Sequence, residues 1–153
     1  MLLPPDVATA YLDHVLAEML RTLGRFRDDE LTIAPFGPAT TSAAGLVTHS
    51  TEVCGYWLQH VGLGEPRDRN REAEFTHQAD RPEREQRIAA ARDAVPRFVG
   101  RLDAGEGQPS ELRALIHVDQ GDASIALHVL EELYQHLGHL ELTADVLEAR
   151  RVT

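Results

Sequence analysis

The 153-residue chain contains no lysine, and all 15 of its basic side chains are arginine. Against them stand 25 carboxylates, for a formal net charge of −10. A surface of that sign repels phosphate, which disfavours both nucleic-acid binding and adhesion to anionic membranes. Cysteine occurs once, at Cys54, which excludes an intrachain disulfide and an all-thiolate metal site. No apolar run approaches the roughly 20 residues of a membrane span. The N-terminal stretch MLLPPDVATAYLDH has neither the basic flank nor the apolar run of a secretion signal. A cytoplasmic protein is therefore expected. Aromatic residues make up only 5% of the chain, so leucine, valine and alanine must supply most of the core.

What is present is helical periodicity. In PPDVATAYLDHVLAEMLRTLGRF, Val7, Tyr11, Val15, Leu16, Met19 and Leu23 recur at helical spacing, and Pro5 suits the first turn. TTSAAGLVTHSTEVCGYWLQHVGL opens on a Thr/Ser cap and stops near Gly62, with Leu46, Val53, Trp57, Leu58 and Val61 as its apolar stripe. A third helix is predicted from about Pro82 to Leu102 on Ile88, Ala91, Val95, Phe98 and Val99. Pro96 falls inside that pattern and predicts a kink or an early end. The fourth pattern runs through Ile125, Val129, Leu130, Leu133, Leu137, Leu140, Leu142 and Val146. Within the last polar connection, ELRALIHV reads as a short strand or an extra helical turn. Four amphipathic helices without strand pairing predict a single all-α domain over residues 1–153, a four-helix bundle. Its loops are long enough for a crossover connection or a loop covering a site.

The chemistry concentrates on the last helix. Positions four apart share a face, so His128, Glu132 and His136 form one stripe. Alone, a Glu-x-x-x-His pair on a helix is usually solvated. Here it sits beside core leucines, where an unpaired polar group is costly, and His49 offers a third ligand between Leu46 and Val53 on the second helix. A His/Glu/His set leaves a coordination position open, as catalytic zinc sites do. The same donors also suit nickel, iron or manganese.

These residues carry a family resemblance. TTSAAGLVTHSTEVCGYWL resembles the segment of DinB-like proteins in which one histidine follows an apolar half-turn. ALHVLEELYQHLGHLELTADVLEARR resembles the last bundle helix of that superfamily, with its His-x-x-x-Glu-x-x-x-His-x-Gly-His pattern, and REAEFT resembles the Glu-Phe element between the second and third helices. The superfamily commonly uses three histidines. The branch resembling the N-terminal metal-binding domain of mycothiol-dependent maleylpyruvate isomerase has glutamate in place of one. Motif for motif, His49 falls on the upstream histidine, Glu132 on that glutamate and His136 on the last histidine. The isomerase carries a second domain that is not matched here, which sets maleylpyruvate isomerisation apart from thiol chemistry in general.

The resemblance implies a DinB-like bundle with a divalent cation, zinc first and nickel second, and mycothiol or a similar thiol as cosubstrate. The expected activity is thiol S-transfer to a small electrophile, in a homodimer. A metal-dependent hydrolase and a non-catalytic, metal- or ligand-binding stress-response bundle are the alternatives. Among the other residues, His128 is a candidate supporting partner and His139 a helix-surface or supporting one. Arg67, Arg69 and Arg71 are candidates for an anionic cofactor group, against a solvated loop. Gly138 suggests a close helix approach. Cys54 reads as core, and of Tyr56 and Trp57 one is core while the other lines a pocket. His14, His60, His77 and His117 have no partner at ligand spacing.

Overall fold

The computed structural model describes residues 3–37, 40–76, 80–104 and 122–152. Helix α1 spans Pro5–Leu23, and a 3-10 turn follows at Asp28–Glu30. Helix α2, Ala43–Cys54, continues as a π-helical segment, Gly55–Gly62. The short α3 is Arg71–Glu74, α4 is Arg81–Ala104 and α5 is Asp122–Arg150. No strand occurs among the described residues. ELRALIHV, His77 and His117 lie outside them.

The packed pairs are α1–α4, α1–α5, α2–α4 and α2–α5, so α1 stands diagonally opposite α2, and α4 opposite α5. Ion pairs and contacts give the directions. Arg92 meets Asp13 at 2.7 Å while Arg81 reaches the Leu23 carbonyl at 2.9 Å, so α1 and α4 are antiparallel. Arg21 faces Glu141 and Arg25 bonds Glu148 at 2.7 Å, so α1 and α5 run parallel. Arg84 bonds the Ala44 carbonyl and Arg87 bonds Glu52, so α2 and α4 are also parallel. The bundle is up-down-down-up, and the connection through α3 is the crossover for which the loop lengths leave room.

Several sequence assignments shift by one stripe. Ala8, Leu12, Val15, Leu16, Met19 and Leu23 are buried on α1, whereas Val7 and Tyr11 are exposed. Ala8 and Leu12, one position later, take the core positions assigned to them. Leu142 is likewise half-exposed rather than in the core. Helix α4 runs through Pro96 to Ala104, so it does not end early. A helix-interior proline costs about 3 kcal/mol. Burying Val95, Phe98 and Val99 around it returns roughly 1.5–3 kcal/mol for each side chain, enough to carry the helix past it.

Gly55 opens the π-helical segment because the Arg67 guanidinium lies where its Cβ would be. Arg67 is held there by Glu52 at 2.8 Å and Gln59 at 3.1 Å. Gly138 is different: it is exposed on α5, and a Cβ added to it meets nothing within 4 Å. No close helix approach explains it. Gly138→Ala should stabilise the protein by about 0.5–1 kcal/mol through helix propensity alone. Thermal unfolding should show this as a rise in Tm of roughly 1–4 °C, and an unchanged or lower Tm would contradict it.

Candidate metal centre

Ser42 caps α2, its hydroxyl accepting from the Gly45 amide at 3.2 Å. Every residue from Ala43 to Thr51 is buried, His49 among them with 3% exposure. The backbone of Phe75 packs against α2 at Gly45, within van der Waals contact of the position a Cβ would take there. That approach carries the end of α3 onto the His49 ring. The Glu74 carboxylate lies 2.7 Å from His49 Nδ1, and the Phe75 ring stacks on the imidazole at 4.9 Å between centroids.

Glu74 is itself buried and also accepts two bonds from Arg69, at 2.6 and 3.1 Å. An arginine-paired carboxylate is an acceptor only. Nδ1 of His49 therefore donates, and Nε2 keeps its lone pair facing α5. A carboxylate behind a histidine is the usual partner of a metal-ligating imidazole.

On α5, Glu132 and His136 stand one turn apart, with Oε2 of Glu132 3.3 Å from His136 Nε2 and 3.6 Å from His49 Nε2. Both separations exceed the 2.7–2.9 Å typical of charge-assisted hydrogen bonds. Instead, one ligand atom from each of the three residues converges, all within 4.8 Å of one another. The facing imidazoles of His136 and His49 hold the Glu132 carboxyl far below the usual carboxylate range, against the opposing effect of burial. It is anionic at neutral pH. Two imidazoles and one carboxylate, partly open to solvent through Glu132 and His136, match the donor types and number of an open divalent-metal site. The Nδ1 atoms of both His136 and His128 are buried without a hydrogen-bond partner among the described residues.

The other candidates separate. His128 packs edge-on against Trp57, ring centroids 5.0 Å apart, and adds to the lowering of the Glu132 carboxyl. His139 is exposed, with its ring 5.7 Å from that of His136. Arg67 is engaged by Glu52 and Gln59. Arg69 is engaged by Glu74 and lies over the Tyr56 ring at 5.4 Å, while Arg71 is exposed at the start of α3. Trp57 is core and Tyr56 is half-buried beneath Arg69. Cys54 is fully buried, and burial pushes its thiol up to about 12, so it is no nucleophile at neutral pH. His14 is exposed on α1, and His60 Nδ1 lies 2.7 Å from the Glu65 carbonyl where the π-helical segment ends.

No period or ligand spacing in the sequence marks a part for Glu74 and Phe75, although REAEFT contains both. Arg84 is equally unmarked. This fully buried side chain bonds the Ala44 carbonyl at 3.0 Å and Thr48 Oγ1 at 3.1 Å, tying α4 to the turn that carries His49.

No curated protein and no solved structure matches the chain at a significant level. The family model for mycothiol-S-transferase matches residues 7–148, a span that contains His49, Glu74, Glu132 and His136. The chain belongs to the mycothiol-S-transferase family, within the DinB-like superfamily.

Proposed function

We propose that the protein is a metal-dependent S-transferase joining mycothiol, or a closely related low-molecular-weight thiol, to an electrophilic carbon. The observation that carries this is the convergence of His49, Glu132 and His136 in a chain whose family is defined by mycothiol transfer. These three residues would hold the cation, zinc first and nickel second by donor type. When bound, a divalent cation favours the thiolate of a thiol whose ordinary pKa is near 8.5.

The chain's own residues do the rest. Glu74 fixes the His49 tautomer and Phe75 fixes its ring plane. Glu132 contributes a full negative charge. His128, one turn before Glu132, is held edge-on against Trp57. In the net reaction with a chloroarene, an S–C bond forms, chloride leaves with the C–Cl electron pair, and the thiol proton passes to water. Neither the hydrolase nor the purely binding alternative has a comparable observation in its favour. A homodimer and a cytoplasmic location complete the proposal. They are supported by the exposed Val7 and Tyr11 on α1 and by a described chain with no helix long and apolar enough to cross a membrane.

With 1-chloro-2,4-dinitrobenzene as electrophile, consumption should require both mycothiol and a divalent cation and should stop with a chelator. Turnover of model esters with metal and no thiol would overturn the assignment in favour of hydrolysis.

A further inference from the structure

Beside the metal centre, a cavity of about 340 Å³ lies between α2, α5 and the loop before α2. Leu46 lines it from α2, three residues before His49. His139, Leu142 and Thr143 line it from α5, and Phe36 and Thr41 from the loop before α2. Because His139 also abuts His136, cavity and metal centre share a wall. We propose that this cavity binds the apolar part of the electrophilic cosubstrate, an aryl or branched alkyl group, and so sets which electrophiles are used. The proposal rests on the thiol-transfer assignment.

Three observations support it. The first is size and chemistry. The volume is at the small end of the roughly 300–1,000 Å³ of small-molecule sites, and the lining is mainly apolar with few polar atoms. Such a lining suits a hydrocarbon group and poorly solvates a charged molecule.

The second is that Phe36 and Leu142 are both about half exposed on its rim, at 50% and 51%. Large apolar side chains left open around one concavity are covered when an apolar ligand enters. This also gives Leu142, which the helical period assigns to the core, a surface to serve.

The third is that the loop wall is held in place. Arg150 donates to the Pro35 carbonyl at 2.8 Å, the Ala44 amide donates to the Leu31 carbonyl at 2.8 Å, and Arg151 pairs with Glu30. With its wall tied to both flanking helices, the cavity is formed before any ligand arrives, which lowers the ordering cost of binding.

Leu142→Trp fills the cavity from a half-exposed position and should leave the fold intact; Phe36→Ala removes one wall and serves as a second variant. Metal content and circular dichroism would establish that each is folded and loaded. Unreactive 2,4-dinitrotoluene should bind the metal-loaded wild type and lose at least tenfold in affinity in either variant. With mycothiol, the ratio of kcat/KM for 1-chloro-2,4-dinitrobenzene to that for iodoacetamide should also fall at least tenfold. Unchanged affinity and an unchanged ratio in active, folded variants would overturn the cavity assignment alone. A wild type that transfers thiol to neither electrophile would overturn the transferase assignment, and the role of the cavity with it.

Discussion

His136→Ala should abolish cation binding and reduce thiol transfer by more than about 100-fold, beyond the 10–100-fold typical of losing a partner that only supports a metal ligand. Only two donors, His49 and Glu132, would remain. The apo-protein should hardly notice the change. The side chain carries a buried Nδ1 without a partner among the described residues, and such an atom costs about 1–3 kcal/mol. Truncation removes that penalty while giving up some packing, so apo stability should move by no more than about 1 kcal/mol. The contrast appears when metal is added. A cation at 100 times its Kd stabilises a native protein by about 2.7 kcal/mol. Wild-type melting should therefore rise with zinc and fall back with chelator, whereas the variant's melting should ignore both. A variant that still binds one equivalent of zinc tightly would remove His136 from the site.

Glu74→Ala has the larger effect on folding. The carboxylate is 3% exposed and serves both His49 and Arg69. Removing one partner from a buried charged network typically costs 3–5 kcal/mol, a large fraction of the 5–15 kcal/mol that holds a domain together. The His49 ring would also lose the acceptor that fixes its tautomer, so cation affinity should drop roughly 10–100-fold. Glu74→Gln keeps a carbonyl acceptor for Nδ1 but loses the charge opposite Arg69, and should fall between the two. Urea unfolding in chelator separates the stability loss from the affinity loss, which a zinc titration reads directly. Wild-type zinc affinity in folded Glu74→Ala would show that the carboxylate serves the fold and not the metal.

Much of this was legible in the residue order. Helical periodicity located all four long helices, and the i, i+4 spacing of Glu132 and His136 puts two candidate donors on one face of α5. His49 stands out as a candidate because a polar side chain within an apolar stripe needs a partner. What periodicity cannot do is choose between neighbouring stripes of similar character, which is why Val7, Tyr11 and Leu142 were assigned inward. The choice belongs to the helices packed alongside. Glu74 and Phe75 sit at the end of a four-residue helix with no period to read, and a glutamate there is ordinarily solvated. Its burial comes from the packing of the α3 segment against α2, where it meets His49 and Arg69. Arg69 is positioned as a fixed counter-ion for Glu74. Its neighbour Arg67 fills the space that Gly55 leaves open. Nothing in RDRNRE distinguishes these two from solvated arginines.

The parallel pairing of α1 with α5 has a consequence for how the protein is made. Helix α5 provides two of the three proposed donors and packs on both α1 and α2, yet it leaves the ribosome after α1, α2, α3 and α4. Until then the inner faces of α1 and α2 lack one of the two helices packed on both of them, and His49 faces neither Glu132 nor His136. Contacts such as Arg25–Glu148, 123 residues apart in sequence, close late, as non-local contacts do. Under the proposed assignment, metal loading would fall at the end of folding. A nascent chain stalled before α5 would lack two of the three proposed donors, and its exposed leucine-rich faces would make it a substrate for chaperones.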